Sequence, residues 1–169
     1  MTRFARSLSP ALIALAGLAL AGCAVAAPVS TPTATPTSAG ACEKVTIVVD
    51  FGVLDHPSVN ACTDAGVAAD ALKAAGITTE GTVDYGDQVI CRVNDEPAPD
   101  ETVTIDGQAP FMESCNTLNS VAYWALWVKA SADAKWDYAQ EGAATLQLTD
   151  GQSVGLVYTA GTDSTPPKG

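Results

Sequence analysis

Apolar and polar positions alternate most clearly near the two ends of the middle region. Val45-Thr46-Ile47-Val48-Val49-Asp50-Phe51 places Val45, Ile47, Val49 and Phe51 on one face of a strand. After a loop at 52–60 the period changes. Val67, Ala68, Ala71, Leu72 and Ala75 recur at helical spacing. Thr63 or Asp64 is the expected cap of that helix and Gly76 its left-handed stop. Period two returns at Gln88–Val93, with Val89, Cys91 and Val93 on one side, and in a third short strand expected at Thr102–Asp106. Val121–Lys129 reads as a strand with aromatic residues on both faces, followed by Trp136-Asp137-Tyr138, by Leu146 and Leu148, by a turn at Asp150-Gly151 and by a last strand, Ser153–Tyr158. A strand, one helix and several further strands predict an α+β fold of β-grasp type, a mixed sheet curled around a single helix.

The ends of the chain carry no such pattern. Arg3 and Arg6 precede an apolar run of eleven residues, Ala11 to Ala21. It is too short to span a membrane and suits the core of a signal peptide. The run closes on Leu20-Ala21-Gly22-Cys23, which resembles the lipobox of bacterial lipoproteins. Residues 1–22 are therefore expected to be removed and Cys23 to be lipidated. The alternative is an ordinary signal peptide cut after Ala24-Val25-Ala26, which would release a free secreted protein. Residues 23–41, rich in Pro and Thr, read as a tether, and 159–169 as a disordered tail. The folded part is then 42–158.

With Cys23 committed to lipid, Cys42, Cys62, Cys91 and Cys115 remain, an even number in an exported chain. Two disulfides are expected. Four Cys permit three pairings, and the sequential one, Cys42–Cys62 with Cys91–Cys115, is preferred.

Charge removes several classes of partner. The chain has 8 basic and 19 acidic residues, a net charge of −11, and loss of Arg3 and Arg6 with the leader moves it to −13. Nucleic acid is not an expected partner, because phosphate binding needs clustered Lys and Arg. The membrane enters only through the lipid anchor. A single His, His56, and the absence of Cys-x-x-Cys leave little for a transition-metal site, so no metal and no cofactor are expected. The acids Asp95, Glu96, Asp100, Glu101 and Asp106 lack the spacing of a calcium loop and read as solvated. His56 beside Asp55 is not accompanied by a Gly-x-Ser-x-Gly elbow, so no catalytic residue is assigned and a non-enzyme is expected. Lys73 and Arg92 read as surface ion-pair partners.

What remains is aromatic. Tyr123, Trp124, Trp127, Trp136 and Tyr138 form the candidate ligand-binding set. Trp124 lies opposite in parity to Tyr123 and Trp127 and is expected to be the exposed one.

The order Asp50-Phe51-Gly52, then Ala71-Leu72-Lys73-Ala74-Ala75-Gly76, Cys91-Arg92-Val93-Asn94-Asp95-Glu96-Pro97, Tyr123-Trp124-Ala125-Leu126-Trp127, Trp136-x-Tyr138 and Asp150-Gly151-Gln152-Ser153-Val154 resembles the transcobalamin-like C-terminal domain family, in particular its secreted actinobacterial members. The resemblance covers nearly all of 42–158. It implies a soluble-ligand-binding β-grasp domain, with cobalamin or another corrinoid as the ligand class, or a role as an accessory to a transporter at the outer face of the cell membrane. Transcobalamin itself holds most of its ligand with a large helical domain for which this sequence has no counterpart. A second reading is a secreted protein-interaction module. An early strand, four Cys in two sequential bridges and a helix after the second Cys, with His56-Pro57 and Ala61-Cys62, faintly resemble the subtilisin-inhibitor family of protease inhibitors.

Overall fold

The computed structural model describes residues 42–163 and 165–168. The leader, Cys23 and the tether lie outside the described residues.

The first hairpin pairs β1 (Val45–Asp50) antiparallel with β2 (Val59–Thr63) around a short 3-10 turn at Gly52–Leu54. β2 enters the segment expected to be a loop at 52–60, and its half-buried pattern of small and polar residues carries little apolar signal. Next comes β3 (Gly66–Val67), which leads directly into α1 (Ala68–Ala74). The helix thus starts later than the expected cap at Thr63 or Asp64, because Thr63 is spent in the β1–β2 ladder. Its first-turn amides are satisfied by backbone instead: the Ala68 and Ala69 N–H groups donate to Leu146 O (2.8 Å) and Ala143 O (2.9 Å). The far end follows the expectation. Gly76 adopts φ 78°, its N–H donates to Lys73 O, and the Ile77 N–H donates to Leu72 O, the paired bonds of a Schellman stop.

A separate two-stranded ribbon follows, β4 (Thr79–Thr82) with β5 (Gly86–Val93). The expected strand at Thr102–Asp106 is reduced to a single bridge, Val103 to Phe111. The chain re-enters the main sheet with β6 (Ala122–Lys129) and β7 (Trp136–Tyr138). It then makes β8 (Gln147–Leu148), which pairs with β3, and closes with β9 (Ser153–Ala160). The five-stranded sheet has the order β2-β1-β9-β6-β7. The β1–β9 pair is parallel and the other three pairs are antiparallel. The fold is a mixed sheet with one helix.

Strand alternation divides the side chains as period two requires. Val45, Ile47 and Val49 of β1, Ala122 and Trp124 of β6, and Val154, Leu156 and Tyr158 of β9 pack with Ala68, Ala71 and Leu72 of α1 into the main core. The opposite face carries a smaller cluster of Ala125, Trp127 and Val157, flanked by Tyr123 and Trp136.

Both disulfides pair sequentially, as expected. Cys42–Cys62 ties the lead-in of β1 to β2, and Cys91–Cys115 ties β5 to the long connection 94–121. The two bridges fit an oxidising environment. No helix among the described residues is long and apolar enough to cross a membrane.

Arg92 is 7% exposed, not a surface residue. Its Nε donates to Pro97 O (2.8 Å), Nη2 to Glu113 O (2.7 Å), and Nη1 to Glu80 Oε2 (2.7 Å) and toward Cys115 Sγ (2.9 Å). One guanidinium thereby fastens both arms of the 94–121 connection to β5, which its fixed fork of donors suits it to do. The tail assigned to 159–169 also begins too early. β9 runs on to Ala160, and the chain then turns so that Pro167 is buried against Gly155 while the Lys168 N–H donates to Asp50 Oδ2 (3.2 Å). A Cβ on Gly155 would lie 2.4 Å from Pro167 Cγ, so the missing side chain is what lets the tail lie on the sheet.

Candidate functional site

β6 supplies three of the five aromatic residues singled out from the sequence, and its alternation sends them to different places. Trp124 points into the main core and is 5% exposed. It meets Phe51 and Tyr158 edge to face, each at 5.4 Å between centroids, and its Nε1–H donates to Glu96 O (3.1 Å). The expectation that Trp124 is the exposed indole is therefore overturned. Period two correctly separated it from Tyr123 and Trp127, but α1 and the 94–121 connection cover the Trp124 side.

The other four gather on the opposite face. The register sets Trp127 across from Tyr138 and Lys129 across from Trp136. The Trp127 and Tyr138 rings stack at 3.9 Å with a 26° tilt, and Lys129 Nζ sits 5.6 Å from the Trp136 ring centre, a cation–π contact. Trp127 is buried beneath these neighbours, and its Nε1–H has no hydrogen-bond partner among the described residues. The tail covers part of this face, since Trp136 lies beside Gly155 where Pro167 packs.

Tyr138 remains 37% exposed. Burial, and then the neighbouring Tyr123 hydroxyl, push its phenol above the ordinary value. These two tyrosines line an open groove of about 310 Å3 together with Gln88, Leu118, Gln140 and Glu141. The groove exists because β7 is short. It covers only Trp127–Lys129 of β6, and beyond it the Ala139 N–H to Leu126 O bond (2.9 Å) is the last link. From Ala122 to Trp124 this edge of β6 has no strand partner among the described residues. Backbone groups of alternate residues point the same way, so Trp124 presents its N–H and C=O on the side that Leu126 uses to reach Ala139. Opposite, Gly142 closes against β5 so tightly that a Cβ there would lie 2.5 Å from Gln88 O.

The structure thus brings Tyr123 and Tyr138 to one opening, with Trp124 contributing at its inner wall, and leaves Trp127 and Trp136 as the support behind them. Gln88, Leu118 and Glu141 were not picked out from the sequence. They carry no common spacing and meet only because β5 and the 139–143 segment converge on the short side of the sheet. Leu118 is half exposed, an apolar side chain at an opening, which is the one signal composition could not place. Comparison of the chain with family models, with curated proteins and with solved structures gave no match.

Proposed function

We propose that this chain is a lipid-anchored, non-enzymatic binding module of the transcobalamin-like β-grasp type, displayed at the outer face of the cell membrane. It would capture a soluble ligand, a corrinoid such as cobalamin, either for itself or as an accessory to a transporter. The strand order β2-β1-β9-β6-β7, with β1 parallel to β9 and α1 following the first hairpin, supports the β-grasp assignment. The observation that carries the ligand role is the groove along the unpaired edge of β6. It combines two tyrosine faces with a free strand edge, and so offers stacking surface and backbone hydrogen bonds to one molecule. A flat ligand fringed with amides matches both features. The groove's volume lies at the lower end of the ~300–1,000 Å3 of small-molecule sites, so it accommodates one edge of a corrin ring and leaves the rest to solvent or to a partner. Mass spectrometry of small molecules carried through purification from the native host tests the reading. A corrinoid at stoichiometric amount supports it, and its absence from protein saturated with added corrinoid contradicts it. Anchoring rests on Cys23. Cys23→Ser is expected to move the protein from the detergent phase to the aqueous phase, and an aqueous wild type would refute the anchor.

A second reading, protease inhibition, draws on one observation. Met112 is 61% exposed, three residues before Cys115, on a segment fixed by the second disulfide and by Arg92 donating to Glu113 O. A rigid, exposed apolar residue beside a bridge is what a substrate-like inhibitory loop requires. Stoichiometric inhibition of a subtilisin-like protease, lost in Met112→Asp, would favour it over the groove.

A further inference from the structure

We propose that His56, Glu96 and Glu101 form a binding site for a divalent transition-metal ion of the zinc class, separate from the groove. Sequence spacing concealed it, since His56 follows the 3-10 turn while the two glutamates belong to the 94–121 connection, forty residues on. The fold brings one ligating atom from each within 4.8 Å of the others, and His56 Nε2 lies 3.9 Å from Glu96 Oε2.

Each ligand is held by the backbone beneath it. The turn carrying His56 is closed by the Asp55 N–H donating to Gly52 O (3.2 Å), and the imidazole rests against the Phe51 ring at 5.4 Å. Glu96 is a junction: its N–H donates to Val93 O, and its O accepts both the Val93 N–H (3.0 Å) and the Trp124 indole N–H (3.1 Å). Glu101 is turned back on its own segment, its Oε2 accepting the Ala98 N–H (3.0 Å). Such supported first ligands need little reorganisation to close on an ion. A tetrahedral zinc site with bonds of about 2.0–2.2 Å sets its ligand atoms roughly 3.3 Å apart, so the present spacing asks for small side-chain rotations only.

Charge points the same way. No Lys or Arg lies within ion-pair distance of Glu96 or Glu101 among the described residues, and their one nearby base is His56. Two carboxylates crowded without a fixed cation are relieved by a divalent one. One imidazole nitrogen with two carboxylates suits Zn2+, and by the same ligand preference Co2+ and Cu2+. It does not suit Ca2+, which takes six to eight oxygens. The half-exposed His56 leaves an outer position for water.

The test uses the full chain with both disulfides intact, treated first with chelator. Zinc chloride is titrated calorimetrically and cobalt chloride by visible absorption. The expected result is one ion per chain, with a cobalt spectrum of low-coordinate intensity. The chain's single His makes its imidazole NMR signals assignable, and they should shift on zinc addition. His56→Ala, Glu96→Gln and Glu101→Gln are each expected to weaken binding about tenfold or more. Glu80→Gln, outside the cluster, should leave it unchanged. All of these positions are at least partly exposed, and near-ultraviolet circular dichroism confirms that each variant is folded. The absence of saturable binding at about 1 mM zinc overturns the proposal, as does binding that survives His56→Ala.

Discussion

Replacing Arg92 by Met would keep the length and most of the apolar volume of the side chain while deleting all its donors. Two acceptors, Pro97 O and Glu113 O, lose the guanidinium bonds that fasten them, in a place where Arg92 itself is 7% exposed. A buried acceptor left without a partner costs about 1–3 kcal/mol, so the pair amounts to roughly 2–6 kcal/mol. The bond to Glu80 adds little, because that carboxylate is more than half exposed and such pairs contribute about 0–1 kcal/mol. Arg92→Met should therefore lower stability by several kcal/mol, whereas Glu80→Gln should change it by less than about 1 kcal/mol. Arg92→Lys should rescue poorly, since one ammonium replaces a planar fork that serves three segments. Urea unfolding without reductant measures the effect, and at about 3–5 °C per kcal/mol for a domain of this size the melting point would fall by 10 °C or more for a loss near the middle of that range. A loss under about 1 kcal/mol with an unchanged urea slope would refute the view that this side chain holds the 94–121 connection in place.

Other consequences follow from the same geometry. Trp124→Ala should cost about 3–5 kcal/mol and Trp124→Phe only about 1–2 kcal/mol, the latter mostly for the bond to Glu96 O; a near-neutral Ala variant would mean the indole is not in the core. Truncation after Gly161 should strip Pro167 from Gly155 and render Trp136 emission redder and open to iodide, while unaltered quenching would show that the tail does not cover that face. Glu96 has a folded-state pKa raised above its ordinary 4.5, so the folded state favours its protonated form. That contribution is present below about pH 4.5 and is lost as pH rises through the raised value. In chelator, Glu96→Gln should thus stabilise the protein at pH 7 relative to pH 4, and the opposite pH trend would contradict the placement of this carboxyl.

Much of the fold was legible because period two and period 3.6 report directly on strands and helices. β1, β6 and β9, the helix stop at Gly76 and the sequential disulfides all came from local pattern and Cys arithmetic. The strands that were missed, β2, β3, β4 and β8, are short or half exposed, so burial imposes little alternation on them. The reversal at Trp124 has a different origin. Alternation says which residues share a face, but the covering layer decides which face is dry, and here that layer includes a connection with no periodicity of its own. Arg92 was misread for the same reason, because its acceptors are carbonyls, which sequence does not mark. The groove and the His56 cluster depend on residues far apart in the chain, and only the sheet order and the Cys91–Cys115 bridge bring them together.

The ligand role of the groove stands or falls on Tyr123, which faces the opening without belonging to the main core. The decisive measurement is equilibrium titration of cobalamin against wild type and Tyr123→Ala, with unfolding curves recorded on the same samples. Saturable binding is expected, with the Ala variant weakened several-fold or more, since a stacked ring contributes about 0.5–1.5 kcal/mol beyond area burial, while its stability stays close to wild type. Equal affinity in the two proteins, or no saturable binding of cobalamin by wild type, would contradict the account.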